Sequence, residues 1–465
     1  MDIAARLGAL RQVLSRAGAQ AFMLPVADEH LGEYVPDCAR RLAWLTGFTG
    51  SAGLAVVLAG EAALFMDGRY TLQARDEAPD FTLYNSGDVK PEAWLASAVP
   101  EDAVVGFDPW LHSMREMKRF RHAAKAKNIR FTPLTPNPVD ALWQDRPAPP
   151  AAPAFIHPLA YAGVDHAQKR TQAATAIRAA NADFAVLAAS DSINWLLNIR
   201  GHDLACSPVV LAYAIVSADG KVQLFSDTKK FLPELREHLG AEVTLHPVSA
   251  LEARLADLRG RVLADPTLTP EWFAQSLSAD IVPADDPCQR LKAIKNPTEL
   301  SGMRAAHIRD GAAVVRLLHW LDEAVKKSPV SELEVVKRLH AFRAEAPEFV
   351  SPSFDTIAGS GPHAAIVHYR ATQKTDRALQ QGELFLLDSG GQYPDGTTDI
   401  TRTVPIGAAG GEQRDRFTRV LKGHIALAAA LFPEGTSGSQ LDALARAALW
   451  QAGLDYDHGT GHGVG

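Results

Sequence analysis

Glu383-Leu-Phe-Leu-Leu-Asp388, Ser389-Gly-Gly-Gln-Tyr-Pro-Asp-Gly396 and Thr397-Thr-Asp399-Ile-Thr-Arg-Thr403 follow one another without a break. The first is an apolar run ending in a carboxylate. The second is dense in turn formers, and the third is an alternating, β-branched run. Two strand-like runs around a turn predict a hairpin. In such a hairpin Asp388 and Asp399 sit opposite each other with both carboxylates on one face. Like charges across a ladder repel, and a divalent cation between them removes that penalty. The competing reading is a pair of solvated carboxylates beside a loop. Four apolar residues lead into Asp388, however, and draw it inward, where a carboxylate needs a partner.

Working outward, His458-Gly-Thr-Gly-His462-Gly-Val-Gly465 supplies imidazoles. Glycine is a poor helix former, so the segment is expected to be extended, with positions i and i+4 on one side. Its alternating glycines let backbone approach a ligand closely. Each histidine is either a satisfied core or surface group or a ligand. Joined to Asp388 and Asp399, an imidazole completes a hard-metal site. Gly359-Ser-Gly-Pro-His-Ala-Ala-Ile-Val-His368-Tyr-Arg370 adds a third element. His368 ends its apolar run. It is either a strand-end histidine bonded to backbone or a donor to a substrate carbonyl or carboxylate.

The segment around these motifs opens with a cap signal, Asn296-Pro-Thr-Glu299. A long helix follows, with Val314, Leu317, Leu318 and Leu321 on a buried stripe. Ser331-Glu-Leu-Glu334 starts a second helix. Two more are expected from about Arg414 to Leu431 and from Gln440 to Ala452.

Upstream lie two stretches of similar plan. The first has a helix (Ile3 to Ala17), an apolar run (Ala21 to Leu24), a helical stretch ending at Leu45, and strands Gly53 to Leu58 and Ala62 to Met66. The second has a helix near Lys169 to Ala180, the run Phe184 to Leu187, then Asn194 to Leu197. Its strands are Val209 to Val216 and Val222 to Phe225. The parallel reads as a weak internal duplication of an α/β unit, against the alternative of two unrelated α/β domains. The proline-rich stretch Pro147-Ala-Pro-Pro-Ala-Ala-Pro153 is expected to be a stiff linker. The predicted division is therefore 1–146, a linker 147–154, 155–290 and 291–465.

A length of 465 residues accommodates about three domains of ~150 residues. A hydrophobic content of 47% and a charged content of 22% are ordinary globular values. The net charge of −7 argues against nucleic acid, which wants a basic face. Cys38, Cys206 and Cys288 are scattered and form no CxxC, as in a reducing cytosol. The charged N-terminus has no apolar h-region, and no apolar run reaches the ~20 residues needed to span a bilayer. A soluble cytoplasmic protein is expected.

Together these motifs resemble the creatinase/aminopeptidase family, whose catalytic domain is the pita-bread fold, and within it the three-domain cytosolic Xaa-Pro aminopeptidases. The resemblance spans the whole chain. It includes Leu45-Thr-Gly-Phe-Thr-Gly-Ser-Ala-Gly53, Ile193-Asn-Trp-Leu-Leu-Asn-Ile-Arg-Gly201 and Ala293-Ile-Lys-Asn-Pro-Thr-Glu299, beside the three blocks quoted above. It implies an α/β (α+β) protein with two related creatinase-like N-terminal domains before a pita-bread metallopeptidase domain. Carried over residue by residue, Asp388 resembles the terminal carboxylate ligand, Asp399 the carboxylate bridging two metals, and His462 the histidine ligand. His368 and His458 resemble the catalytic, substrate-side histidines.

The implied cofactor is two divalent ions, usually Mn2+, which suits oxygen-rich ligation with one imidazole. The implied reaction removes an N-terminal residue when proline follows, by attack of a metal-bridging hydroxide on the scissile carbonyl. A proline peptide lacks an N–H and has a fixed φ, so it requires a dedicated pocket. The implied partners are peptides with an Xaa-Pro N-terminus, and a homodimer is compatible with the resemblance.

The sequence departs from the family pattern in one respect. The family's two glutamate ligands and a further catalytic histidine lie downstream of the last block, and none is present here. The expectation is an N-terminal portion of the enzyme with an incomplete pita-bread domain, open edges, exposed core and little or no activity. The alternative is a non-catalytic pita-bread module that binds peptides or proteins. A metal-free creatinase-type hydrolase is a further option. Asp388, Asp399 and His462 speak against both.

Overall fold

The structure, a computed structural model, describes residues 1–464. It divides into two compact units. The first comprises Met1–Asp67, Thr71–Ala305 and Pro394–Gly396. The second comprises Gly68–Tyr70, Ala306–Tyr393 and the chain from Thr397 onward.

The first unit holds two six-stranded sheets among the described residues. One runs, edge to edge, Thr82–Asn85, Ala62–Met66, Leu54–Leu58, Ala21–Pro25, Val104–Phe107 and Arg130–Pro133. The other runs Val243–His246, Val222–Phe225, Tyr213–Ser217, Phe184–Leu187, Arg261–Ala264 and Asp280–Pro283. Strand for strand the orientations agree: parallel, antiparallel, antiparallel, parallel, parallel. The two N-terminal domains are therefore related α/β units. Ala21–Pro25 is buried throughout, and Phe184–Leu187 and Tyr213–Ser217 are buried except at one end residue each, as expected for strands covered on both faces.

A repeated Asp-Pro turn joins the two sheets within this unit. Asp108 accepts from the Trp110 amide and Asp265 from the Thr267 amide. The turns exchange backbone bonds reciprocally, Arg115 to Pro266 and Trp272 to Pro109. Trp110 and Trp272 stack with ring centroids 3.8 Å apart.

One expected strand is shorter than its sequence implies. Val209 to Ala212 lie outside the sheet, and the strand begins at Tyr213. Side chains have taken the backbone bonds there: Val210 N donates to Asn194 and Leu211 N to Asp203.

The long helix is Pro297–Ala324, with the reciprocal Asn296–Glu299 cap in place. Its stripe Val314, Leu317 and Leu321 is buried, with Leu318 partly so. The next helix, Glu332–Ala344, starts at Ser331, which accepts from Glu334 N. Both cover one face of a three-stranded sheet in the second unit. Leu384–Ser389 is its central strand, between Ile357–Ser360 and Ile400–Pro405. Phe385 and Leu387 face the helices and are fully buried. By the alternation of a strand, Leu384, Leu386 and Asp388 fall on the other, half-buried face.

Helices Gly411–Ala428 and Gly438–Trp450 pair with each other. Phe417, Val420, Leu421 and Ile425 of the first are exposed. Among the described residues no helix is long and apolar enough to cross a membrane.

Candidate functional site

The hairpin forms, but in a different register from the simple expectation. Asp388 lies opposite Thr401, and Ser389 opposite Ile400. Asp399 falls two residues before Thr401, on the same face by strand parity, as a diagonal neighbour of Asp388. Glycine packing accounts for the shift. A Cβ on Gly390 would collide with the Thr398 carbonyl and the Ser353 hydroxyl. The Ser353 hydroxyl donates to the Thr398 carbonyl (2.8 Å), while Gly391 N donates to the Thr398 hydroxyl (2.8 Å). These contacts pin the chain beyond Asp388 and leave the two carboxylates offset.

Asp388 has an unusual environment. Its Oδ1 is buried and has no hydrogen-bond partner in the protein. Burial pushes its carboxyl above the ordinary range; a bond from Thr401 opposes this and the Asp399 carboxylate adds to it. Asp399 Oδ2 lies 3.4 Å from His462 Nε2. The structure thus brings Asp388, Asp399 and His462 together. The arrangement is open on one side, because the His462 side chain is 73% exposed. Among the described residues no three His, Cys, Asp or Glu side chains close into a metal cage.

His458 is not part of this cluster. Its ring sits 4.7 Å from that of Tyr456, and its Nδ1 bonds the Gly459 carbonyl. The segment 457–464 forms no strand, contrary to the expected extended strand with both histidines on one side. Backbone accounts for it: Arg446 is tied to the carbonyls of Tyr456 and His458 (2.7 Å each), and no neighbouring strand pairs with the segment among the described residues.

His368 also differs from the strand-end placement. It follows a short 3₁₀ turn, Gly361–Ala365, in a loop. Glu332, fully buried at the start of its helix, organises that loop. It accepts from Ser360 N (2.8 Å), His363 Nδ1 (2.9 Å) and Tyr369 Oη (2.9 Å). The rings of His363 and Tyr369 stack at 4.3 Å. Burial, with the Glu332 carboxylate, pushes the Tyr369 phenol up to about 12. Arg377 pairs with Glu383 at 2.9 Å on the far side.

A second buried network holds the strand end beyond Asp388. Arg343 and Asp310 form a two-pronged pair at 2.6 and 2.9 Å. Tyr393 Oη donates to Asp310, and Arg343 donates to the Ser389 hydroxyl at 3.0 Å. Sequence reading missed Glu332, Asp310 and Arg343. Asp310 carried a usable signal, since a carboxylate in phase with the buried stripe Ala306, Ala313 and Leu317 demands a buried cation. Glu332 carried none, because a first-turn glutamate is ordinary helix chemistry.

Comparison with known proteins agrees with this layout. The Creatinase/Prolidase N-terminal domain matches twice, over residues 6–142 and 145–299, and Metallopeptidase family M24 matches 301–465. Aminopeptidase P2 of Arabidopsis thaliana is 38% identical over 99% of this chain and 71% of its own length. A probable Xaa-Pro aminopeptidase P of Laccaria bicolor is 39% identical, covering 99% and 74%. The crystal structure of X-prolyl aminopeptidase from Caenorhabditis elegans, described as a cytosolic enzyme with a di-nuclear active site, superposes with a TM-score of 0.95 at 33% identity. That match covers 100% of this chain and 80% of the other. With its paired creatinase-like domains and its M24 domain, the chain belongs to the Xaa-Pro aminopeptidase P family of metallopeptidases.

Proposed function

We propose that this chain carries part of the dinuclear centre of an Xaa-Pro aminopeptidase, cytoplasmic like its Caenorhabditis elegans relative. In this reading Asp388, Asp399 and His462 hold divalent cations, with Mn2+ suited to two carboxylates and one imidazole. The observation that carries it is the buried Asp388 Oδ1 without a partner, beside a second carboxylate. A buried carboxylate oxygen in that state is a strong candidate for a cation. Bound ions would activate a water and polarise the scissile carbonyl.

The chain's own residues supply the rest. Thr401 steadies Asp388. The Arg343–Asp310 pair fixes the strand end through Ser389. Glu332 holds the loop bearing His368, which donates toward the peptide, and His458 is assigned a second substrate-side place. The domain division 1–146, 155–290 and 291–465 belongs to the same reading and is supported by the two related sheets and the break in regular structure at 147–154.

Equilibrium dialysis against Mn2+ tests the proposal, with Asp388→Asn alongside the parent and cleavage assayed on peptides with proline or alanine second. Retention of Mn2+ by the parent and its loss in the variant support the metal reading. Cleavage confined to proline-second peptides supports the specificity. Peptide binding without metal retention would favour the alternative, a non-catalytic binding module, for which the exposed His462 leaves room.

A further inference from the structure

The ring of His368 is held by a side chain 298 positions earlier in the sequence. Tyr70 is 2% exposed, and its hydroxyl lies 2.7 Å from His368 Nδ1. The two rings meet edge-on, with centroids 5.4 Å apart at 85°. Tyr70 comes in on the three-residue piece Gly68–Tyr70 that belongs to the second unit. That piece is closely seated at both ends. A Cβ on Gly68 would collide with the carbonyl of Asp457, the residue before His458. The Arg69 guanidinium lies 5.3 Å from the centre of the Tyr70 ring.

The direction of the Tyr70–His368 bond decides what His368 offers a ligand. A buried phenol needs a hydrogen-bond partner. A neutral imidazole has one donor nitrogen and one acceptor nitrogen, and the bond at one sets the other. If the phenol donates to Nδ1, the ring proton resides on Nε2. Nε2 is then the donor nitrogen, the form that suits a carbonyl or carboxylate oxygen. The opposite tautomer would present a bare lone pair, which repels such an oxygen.

We propose that Tyr70 is a positioning residue whose hydroxyl donates to Nδ1 of His368 and fixes the Nε2–H tautomer that presents a donor to a peptide substrate. The inference rests on the reading of His368 as a substrate-side histidine. The assignment of the tautomer is separable from that reading, because it needs neither metal nor turnover.

The experiment is long-range 15N–1H correlation NMR of histidine-labelled protein, with His368→Gln to assign the signals and Tyr70→Phe to remove only the hydroxyl. The expected parent spectrum shows a pyridine-type Nδ1 and a pyrrole-type Nε2 at His368. In Tyr70→Phe the two forms mix. A pyrrole-type Nδ1 in the parent overturns the proposal, and so does an unchanged pattern in a folded Tyr70→Phe. Should Tyr70→Phe fail to fold, the parent spectrum alone still decides the donor direction. In metal-loaded enzyme, Tyr70→Phe is expected to lower kcat/KM for an Xaa-Pro peptide about two- to tenfold, the effect of one lost neutral hydrogen bond. If the tautomer shifts while Tyr70→Phe and His368→Gln both cleave at the parent rate, the substrate role of His368 is overturned.

Discussion

Two buried carboxylates in the second unit have opposite relations to their surroundings, and substitution should show it. Glu332 is fully buried and accepts three hydrogen bonds. Removing it strands the Ser360 backbone N–H and takes a partner from the His363 imidazole, while the Tyr369 phenol keeps only Thr375. Glu332→Ala is expected to cost about 3–5 kcal/mol, the range for breaking a buried charged partnership. Asp388 has a buried oxygen with no partner and a carboxylate beside it. Asp388→Asn removes the repulsion, so the metal-free protein is expected to gain about 0.5–2 kcal/mol, in the pattern of a site that trades stability for function. Urea denaturation in chelator measures both. A stabilised Glu332→Ala or a destabilised Asp388→Asn would contradict the account. The identity of Asp388 was legible in the sequence because an apolar strand delivered a carboxylate inward. The anchoring role of Glu332 was not, because its partners come from a loop about 30 residues away.

At the scale of elements, the helix stripes were readable and the strand registers were not. Val314, Leu317 and Leu321 repeat at the period of the helix they form, so local sequence contains the answer. The offset of Asp388 and Asp399 depends on how Gly390 packs against Thr398 and Ser353, a contact that no local pattern encodes. Helix–helix contact offers a sharper test of the same distinction. Gly423, inside the Gly411–Ala428 helix, lies so close to Ala445 of the next helix that a Cβ would collide with its backbone carbonyl. Gly311, inside Pro297–Ala324, has open space at the same position. By propensity alone both glycines gain about 0.5–1 kcal/mol on replacement by alanine. Gly311→Ala should show that gain. Gly423→Ala should instead lose about 1–3 kcal/mol, because overpacking against backbone outweighs propensity. Thermal melts of the two variants should move in opposite directions, and a rise in both would mean the helices do not approach so closely.

For the molecule as a whole, the duplication was visible in sequence only as an echo of element order, since a long-period repeat of α/β units leaves no residue-level signature. The matching sheets make it explicit, and the related first and second domains form one unit. That unit also sets a response to acid. Burial, with the charges of Arg200 and Lys169 behind it, lowers the His157 imidazole to about 3 from an ordinary 6.5. In the folded state it stays neutral, while in the unfolded chain it takes up a proton near 6.5. The unfolded state therefore binds more protons between these values, and stability rises with pH across that window. The contribution is fully present above about 6.5 and is lost as the pH falls toward about 3. One proton gives a slope of at most about 1.4 kcal/mol per pH unit. Glu29 and Glu116, whose carboxyls are also lowered, add to acid sensitivity in the same direction but at lower pH. His157→Gln separates the contributions. It should flatten the dependence of unfolding free energy on pH between 6.5 and 4.5, where carboxylates contribute least, and leave the more acidic limb intact. A curve that keeps its slope in that interval would assign the acid response to the carboxylates alone.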